Sequence, residues 1–396
     1  MHYTCYAHEH PFVCHSLDYS WMDDLELDDQ DPVEFEDSGI DSLALGAMHT
    51  LVLKKNNSVW GTGDNYFGQL GIDSSKYETL TYFVKLMPGG AKAVGAGGGH
   101  SIIVKQDGSV WSTGRNYYGQ LGDGSNVARS SFVKVVARDG KAVAAGAEHS
   151  LLLKQDGCVW GAGLNENGQL GDRSSPGRRI FSKLICNNVV AMAAGSEHSM
   201  VLKQDGSLWS TGDNLSGQVG DGTGDATDIF IQVMSKANAI AAGSRHSMAL
   251  KADGSVWVTG NNDFGQLGYG STEPSCRFVP VIASGAKAVA AGYDHSIVLK
   301  QDGSLWAAGR NNYGQLGTGM EQLFSNRFAR IMPSGAETLA ANGFHSMITK
   351  TDGSLWAAGA NLLGQLGDLV DGGMLCTNIF VRIVMSRDGV WWMVRK

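Results

Sequence analysis

The sequence predicts an all-β fold, a seven-bladed β-propeller built of seven repeats of about 50 residues. Three observations predict it: a sequence word that recurs seven times, a turn signal inside the repeats, and 54 glycines against 7 prolines. The word is a His, a Trp eleven residues later and a Gln nine residues after that. A fixed period of this size indicates a repeat architecture. The seven copies are His49/Trp60/Gln69, His100/Trp111/Gln120, His149/Trp160/Gln169, His198/Trp209/Gln218, His246/Trp257/Gln266, His295/Trp306/Gln315 and His345/Trp356/Gln365.

Each repeat has the pattern of four short strands. In the third repeat, small residues at 141–146 are followed by apolar runs at 149–154 and 159–163, and a fourth run is centred on Phe181. Asp156-Gly157 stands between the second and third runs, and Asp-Gly is a strong hairpin signal because both positions adopt positive φ. Four-stranded units at this period are typical of propeller blades. We expect the small residues near the crowded axis and the Trp and Phe strands in the wider space between blades.

The charge pattern divides the chain into two predicted parts. Residues 1–53 contain no Lys or Arg and twelve acidic residues, whereas the remainder carries 31 basic and 27 acidic residues. We expect residues 1–37 to be an acidic, disordered leader and residues 38–396 to form the propeller. The overall charge of −8 and the acidic leader argue against nucleic acid as a partner.

The C-terminal residues 388–394 have the pattern of one further strand. The sequence leaves two placements open for it. It pairs at the seam of the ring beside the N-terminal strand, or it packs on a face of the propeller.

The six cysteines have no spacing that indicates a disulfide framework, so we expect free, buried thiols in a reducing compartment. The N-terminus lacks the pattern of a signal peptide, and no apolar run reaches membrane-spanning length. We therefore expect a monomer in the cytoplasm, with the nucleus as the alternative, and no membrane partner. The cysteines are Cys5, Cys14, Cys158, Cys186, Cys276 and Cys376.

The repeated His, Trp and Gln residues are expected to be structural, because each has the same place in its repeat. Buried polar groups of this kind are usually hydrogen-bonded, and a buried Trp N–H finds a partner. We expect each Gln to bond loop backbone.

Two further segments contain metal-ligand residue types, the leader with Cys5, His8, His10, Cys14 and His15, and the acidic loop 221–228. The leader matches no zinc-finger spacing. The loop lacks the glycine and the distal Glu of a calcium site, and we interpret it as a solvated acidic loop. No phosphate-binding loop or nucleophile elbow is present. We therefore predict no metal, no cofactor and no enzymatic activity.

The candidate partner-binding residues lie where the repeats differ. Two columns vary, the pair before each His and the loop between each Trp and Gln, and equivalent loop positions should lie on one rim of the ring. Tyr, Phe and Arg are enriched in interface cores. The alternative is that the aromatic residues only pack against the next blade. The predicted site residues are Tyr66, Phe67, Arg115, Tyr117, Tyr118, Arg245, Tyr293, Asp294, Arg310 and Tyr313.

Three segments, 146–150, 156–160 and 165–171, resemble the repeat of the regulator of chromosome condensation (RCC1) family, and the resemblance covers residues 38–396. It implies a seven-bladed propeller but no single activity. Members of the family include an exchange factor for the small GTPase Ran, substrate-recognition parts of HECT-type ubiquitin ligases, a plant UV-B receptor and scaffolds.

Several features depart from particular family members. Repeat steps of 48 to 51 residues leave no room for the inserted hairpin of the Ran exchange factor, and the leader is acidic rather than basic. No Trp stands before a repeat His, as in the UV-B receptor. No catalytic segment follows the repeats. We therefore expect a non-catalytic scaffold that presents propeller loops to a protein partner. The alternatives are a guanine-nucleotide exchange factor for a Ran-type small GTPase and a substrate-recognition module that works with a ubiquitin ligase.

Overall fold

The computed structural model describes residues 39–320, 322–367, 375–385 and 391–394, so the predicted leader at 1–37 lies outside the described residues. This part of the chain contains 29 strands, β1 to β29, and no helix. It therefore contains no helix that could cross a membrane.

The strands form seven blades. Blades 1 to 4 contain β1 Ile40–Leu45, β2 His49–Lys54, β3 Val59–Asp64, β4 Thr79–Met87; β5 Ala91–Ala96, β6 His100–Lys105, β7 Val110–Gly114, β8 Arg129–Val136; β9 Gly140–Ala145, β10 His149–Lys154, β11 Val159–Leu164, β12 Gly177–Ile185; and β13 Val189–Ala194, β14 His198–Lys203, β15 Leu208–Gly212, β16 Thr227–Met234. Blades 5 to 7 contain β17 Ala237–Ala242, β18 His246–Lys251, β19 Val256–Gly260, β20 Ser275–Ile282; β21 Ala286–Ala291, β22 His295–Lys300, β23 Leu305–Arg310, β24 Phe324–Met332; and β25 Ala336–Asn342, β26 His345–Lys350, β27 Leu355–Ala360, β28 Cys376–Met385, β29 Trp391–Val394.

Each blade is an antiparallel sheet of consecutive strands, so the predicted all-β, seven-bladed propeller is confirmed. Blade 1 is built from β1 to β4 without a strand from the C-terminus. Side-chain packing closes the ring instead. One core cluster joins Leu45, Val52 and Phe83 of blade 1 to Met347 and Leu366 of blade 7.

The C-terminal strand β29 adopts neither placement that the sequence left open. It pairs antiparallel with β28, with Met385 opposite Trp391, and becomes a fifth strand of blade 7. The antiparallel reversal after β28 brings the chain back along its own blade, which explains why the strand does not reach β1.

Small residues line the propeller axis, as predicted, because the innermost strands approach one another closely. A Cβ on Gly46 would lie 2.4 Å from His49 Cε1 and 2.7 Å from the carbonyl oxygen of Gly97 in the next blade. Neighbouring blades also bond through their backbones near the axis, as in the 3.1 Å hydrogen bond from Ala47 N–H to Gly97 O. Glycine permits this approach in six blades, whereas blade 7 has Asn342 at the equivalent position, whose side chain donates to Leu45 O of blade 1.

A repeated contact fills the wider space between blades. The second glycine of each Gly-Gln-Leu-Gly segment (Val replaces Leu in blade 4) lies against a Phe ring of the next blade, and a Cβ on Gly71 would lie 2.4 Å from Phe132. The ring closes in the same way, with Gly367 against Phe83. The predicted position of the Phe strands is therefore confirmed.

A hydrogen-bond relay joins every blade to the next and explains the repeated His. The Gln contributes only its backbone carbonyl to this relay, and its side-chain Oε1 accepts from a loop amide in every blade, as predicted. His149 Nε2 lies 2.9 Å from Ser199 Oγ in the following blade, and this hydroxyl donates to the carbonyl oxygen of Gln169 at 2.7 Å. The same relay occurs at all seven junctions, and Thr50 replaces the serine where blade 7 meets blade 1. The seven sets are His49/Ser101/Gln69, His100/Ser150/Gln120, His149/Ser199/Gln169, His198/Ser247/Gln218, His246/Ser296/Gln266, His295/Ser346/Gln315 and His345/Thr50/Gln365.

The relay fixes the protonation of each imidazole. Because the hydroxyl donates its hydrogen to the Gln carbonyl, the hydroxyl oxygen accepts a hydrogen bond from Nε2–H. The other nitrogen, Nδ1, is then unprotonated, and in all seven rings it has no hydrogen-bond partner among the described residues. Complete burial lowers the pKa of each ring from 6.5 to about 3 or about 4, so the seven rings are neutral.

The repeated Trp residues bond within their own hairpins. Trp111 Nε1 donates to Ser109 Oγ at 2.9 Å, and that serine is held by Asp107 of the turn. In blade 3 the serine is replaced by Cys158, and Trp160 Nε1 has no partner among the described residues. Cys158 is instead joined to Cys186 by a disulfide, with Cα atoms 4.1 Å apart.

The cysteine prediction is therefore wrong. Cys158, Cys186 and Cys376 are disulfide-bonded, and Cys276 is a free thiol but exposed. Antiparallel pairing of Val159 with Ile185 brings the two flanking cysteines together across 28 residues of sequence. Cysteine spacing could not show this, since the long loop between β11 and β12 separates the partners. Cys5 and Cys14 lie outside the described residues.

Replacing a relay serine tests the role of the hydroxyl. We expect Ser199→Ala to lower the free energy of unfolding by roughly 2–4 kcal/mol, because it leaves the His149 Nε2–H and the Gln169 carbonyl buried without partners. Ser199→Thr keeps the hydroxyl, as Thr50 does where blade 7 meets blade 1, and should lower the free energy of unfolding clearly less than Ser199→Ala. Guanidinium denaturation of both variants measures the difference. Equal losses would show that the hydroxyl does not matter.

The seven neutral imidazoles predict steep acid unfolding. Their pKa is lower in the folded than in the unfolded chain, so stability is complete above pH 6.5 and is lost as pH falls toward 4. Each ring contributes up to about 1.4 kcal/mol per pH unit, and seven rings together up to about 10. Burial raises the pKa of Glu148 to about 7 and also raises the pKa values of Asp64, Glu197 and Asp294, which has the opposite sign but involves fewer groups. Denaturation between pH 7 and 4.5 measures the slope, and an unfolding free energy independent of pH in this range would contradict the prediction.

Two cysteine variants should differ although both remove the same disulfide. Cys158→Ser recreates the serine that accepts from Trp in the other blades, whereas Cys186→Ser leaves Trp160 Nε1 unpaired. We expect Cys158→Ser to be more stable than Cys186→Ser by about 1 kcal/mol, the net value of one hydrogen bond. Thermal unfolding of both variants, with reduced wild type as the control, measures this. The opposite order would exclude the proposed hydrogen bond.

Candidate functional site: the rim face

The strand directions give the propeller two different faces. The first strand of each blade runs toward the rim face, which we define as the face formed by the β1–β2 and β3–β4 connections and their equivalents. The opposite hairpin face is formed by the β2–β3 turns and the connections between blades. Both variable columns of the sequence therefore lie on the rim face.

Backbone hydrogen bonds bring these two columns together in every blade. The amide of the residue four positions after each Trp donates to the carbonyl oxygen of the residue before the His, as from Arg115 to Gly99 at 2.8 Å and from Arg310 to Asp294 at 2.8 Å. The variable positions are therefore neighbours on a fixed frame, and their side chains alone distinguish the blades.

A first cluster joins blades 1, 2 and 3. The Arg115 guanidinium lies 5.3 Å from the ring centre of Phe67 and 5.2 Å from that of Tyr117, and its Nη1 is 2.6 Å from Glu148 Oε1. Gln120 also donates to the Glu148 carboxylate. Burial nevertheless raises the pKa of Glu148 to about 7, against the opposing effects of Arg115 and Gln120. Arg115 is thus held between two rings and one carboxyl group.

A second cluster repeats this arrangement at blades 5, 6 and 7. The Arg310 guanidinium lies 4.6 Å from the ring centre of Phe264 and 5.3 Å from that of Phe344, and its Nη1 is 3.3 Å from Asp294 Oδ2. The acid comes from the same blade here, whereas Glu148 comes from the blade after Arg115. Burial raises the pKa of Asp294, which Arg310 opposes.

The other predicted site residues have different surroundings. Tyr313 and Tyr293 are half-buried, and both rings lie 5.3 Å from Phe344. Arg245 is exposed in blade 5, close enough to Glu197 and Asp294 to affect their pKa values. The structure thus brings the ten residues onto one face but into separate groups.

Four exposed apolar residues lie close together along this face, whereas Leu215, which at 85% is the most exposed apolar residue of the described part of the chain, stands apart in blade 4. Tyr66, Tyr117 and Tyr118 are 64%, 53% and 42% exposed, and Leu362 is 42% exposed. They lie in equivalent loops of blades 7, 1 and 2, which are neighbours in the closed ring. We call these four residues the apolar arc.

The sequence prediction missed Glu148, Phe264, Phe344 and Leu362. Phe264 and Phe344 belong to the same variable columns as the predicted residues, so position in the repeat was an available signal. What the sequence could not show is that an arginine stacks on the aromatic residue of the preceding blade.

Blades 3 to 5 make the rest of the rim acidic. Glu197 lies beside Asp213. Its pKa is raised, mainly by burial and in addition by the negative charge of Asp213. Asn167 Nδ2 donates to Glu197 at 2.7 Å. Exposed Glu166 and Asp263 extend the negative charge on both sides.

The acidic loop 221–228 is closed by its own hydrogen bonds. Asp221 Oδ1 accepts from Asn214 Nδ2 at 3.0 Å and from the amide of Thr223 at 2.8 Å. No group of three or more His, Cys, Asp or Glu side chains within the described ranges is arranged to hold a metal ion.

Comparisons with known proteins connect this geometry to a family. Two profiles described as the regulator of chromosome condensation (RCC1) repeat match the chain, at residues 40–69, 91–120, 141–169, 189–218, 238–266 and 286–315, and at 107–153, 156–202 and 253–299. Over 88 residues, 22% of this chain, the sequence is 38% identical to the human probable E3 ubiquitin-protein ligase HERC4, and over 90 residues, 22% of this chain, it is 34% identical to the human X-linked retinitis pigmentosa GTPase regulator. These matches span 8% and 9% of the relatives' own lengths.

A solved structure shows the same fold. Prp20p of Saccharomyces cerevisiae, studied for its binding to Gsp1p and histones, superposes with a TM-score of 0.67 at 23% identity, over 77% of this chain and 80% of that one. With repeat profiles matched in all but the last blade and seven blades present, the chain belongs to the RCC1 repeat family.

Proposed function

We propose that the protein is a non-catalytic interaction platform that binds a protein partner through the rim face, centred on the apolar arc. The observation that carries this proposal is the exposure of Tyr66, Tyr117, Tyr118 and Leu362 on three adjacent blades. Tyrosine supplies a large contact area and a polar hydroxyl, and is enriched where binding energy concentrates. Exposed apolar residues grouped in this way are typical of interaction surfaces.

The loops that carry the arc are already ordered, which favours binding. In blade 1, Asn65 Oδ1 accepts from the amide of Leu70 at 2.9 Å, and Gln69 Oε1 accepts from the amide of Phe67 at 3.0 Å. The same Asn and Gln bonds recur in the loop of blade 2. These loops therefore lose little conformational entropy when a partner binds, so more of the contact energy contributes to affinity.

Arg115 packs against Tyr117 of the apolar arc and is not free to contact a partner. Its guanidinium is shared between Tyr117, Phe67 and Glu148. Removing it would leave the half-buried Glu148 carboxyl without its cation and would change stability as well as binding. The tyrosines are therefore the cleaner test of the surface.

The relatives suggest two partner classes. HERC4 is named a probable ubiquitin ligase, and the Prp20p study concerns binding to Gsp1p. We propose a ubiquitin-pathway protein or a small GTPase as the partner, and the exchange of guanine nucleotide as the alternative function. Measuring the release of labelled GDP from a panel of small GTPases distinguishes the two functions. An exchange factor accelerates this release, whereas an interaction platform binds its partner without accelerating it.

The double variant Tyr66→Ala/Tyr117→Ala tests the apolar arc. We expect it to weaken binding to a partner identified with the wild-type chain at least 10-fold, since interface tyrosines contribute about 2 kcal/mol each. The melting temperature should change little, because both rings are mostly exposed. Titration calorimetry and thermal unfolding measure the two quantities.

Val190→Ala is the control, since this apolar residue is 44% exposed at the hairpin-face end of blade 4. It should leave affinity unaltered. If the tyrosine variant instead loses several degrees of melting temperature, the rings pack against neighbouring blades and the proposal fails. If both variants bind like the wild type, the rim is not the binding surface.

A further inference from the structure

The hairpin face carries cations on both sides of the repeated Trp. The second strand ends in a lysine in all seven blades, with each ammonium 3.4 to 4.9 Å from the centre of the Trp ring. In five blades the fourth-strand residue paired with this Trp is a second cation, and all five are exposed. The first set is Lys54, Lys105, Lys154, Lys203, Lys251, Lys300 and Lys350, and the second is Lys85, Lys134, Lys183, Arg330 and Arg382.

The carboxylates on this face only partly balance these twelve cations. Six hairpin turns contain an aspartate, and hydrogen bonds from the turn serine lower the pKa of five of them, as at Asp107. Lys55, Lys141 and Lys287 add exposed positive charge. The hairpin face is therefore basic. The six aspartates are Asp107, Asp156, Asp205, Asp253, Asp302 and Asp352.

The rim face has the opposite net charge. Its cations are Lys76 and arginines such as Arg115, Arg173 and Arg245, and carboxylates such as Glu166, Glu197 and Asp263 outnumber them among the described residues. The positive net charge of the propeller therefore lies on the hairpin face and the negative net charge on the rim face. The sequence shows only their sum, which is mildly basic.

The chain enters the propeller on the basic face. Strand β1 begins there, with Ile40 paired to Lys54, and the amide of Lys55 donates to Gly39 O at 3.0 Å. Residues 1–37, which precede this point, contain eleven Asp and Glu and no Lys or Arg. Nine of these acidic residues lie in residues 23–37, after the last cysteine of the segment. A 15-residue chain extends to about 50 Å, whereas a domain of this size has a radius of gyration of about 20 Å. The acidic segment can therefore reach every blade of the face to which it is attached.

We propose that the hairpin face is a binding surface for acidic polypeptide and that residues 23–37 of the same chain occupy it. Covalent attachment gives the segment an effective concentration of about millimolar, so individually weak ion pairs suffice. An external acidic partner then has to displace this segment. Because exposed charges are screened by salt, occupancy falls as ionic strength rises. This inference concerns the opposite face from the proposed partner site, so either can fail without the other.

Carbodiimide cross-linking of the full chain tests the contact, since it joins carboxylates to lysines that touch them. At low salt we expect peptides that link residues 23–37 to Lys85, Lys134 and Lys183, with Lys76 on the rim as the internal control. Mixing labelled and unlabelled chains distinguishes links within one chain from links between chains. Links should disappear at about 0.5 M salt. Links to Lys76 as frequent as those to the hairpin face, or none to the hairpin face, would overturn the proposal.

A binding experiment tests the occupancy. A full-length variant with Asp28, Asp29 and Asp31 changed to Asn, and Glu34 and Glu36 changed to Gln, should bind poly-L-glutamate at least 5-fold more tightly than the wild type. Adding Lys134→Glu and Lys183→Glu to this variant should reverse the gain, whereas adding Lys76→Glu should not. Equal affinity of the wild type and the neutralised variant would overturn the proposal. Tighter binding of the neutralised variant to duplex DNA than to poly-L-glutamate would overturn the assignment to acidic polypeptide.

Discussion

The hydrogen-bond relay from His to Ser to Gln is the interaction on which the rest of the propeller depends. It crosses from each blade to the next and requires a neutral imidazole, and in six blades a glycine three residues before the His leaves space for the ring. With Thr50 completing the seventh relay, the closed ring needs no shared strand. The repeated residues are conserved within the chain because every junction uses them, which leaves them unavailable for recognition.

Recognition therefore falls to positions that the relay does not use. The loop between Trp and Gln is fixed at its base by Asn and Gln, so its two central side chains can differ without disturbing the blade. The chain uses this freedom unevenly. Blades 7, 1 and 2 expose neighbouring apolar side chains, whereas blades 3 to 5 expose carboxylates with Leu215 as a single apolar residue among them. A sevenfold frame thus carries an asymmetric surface, as a specific partner requires.

The separation of charge between the two faces follows from the same repeat. The lysine at the end of each second strand packs over the Trp ring of its blade. This repeated contact also places one cation on the hairpin face in each of the seven blades. No comparable repeated cation exists in the rim loops of the described residues. A structural pairing of lysine and tryptophan thereby gives the molecule a basic face next to an acidic N-terminal segment.

The sequence by itself determined the blade number, the four strands of each blade and the structural role of His149 and its equivalents, because these depend on local patterns that repeat. Only the tertiary structure decided how β29 adds to blade 7, how Cys158 reaches Cys186, and how Arg115 and Arg310 stack on rings of the preceding blade. It also decided which face is basic. These features depend on contacts between residues distant in sequence, and a repeat period carries no information about contacts that occur once or twice.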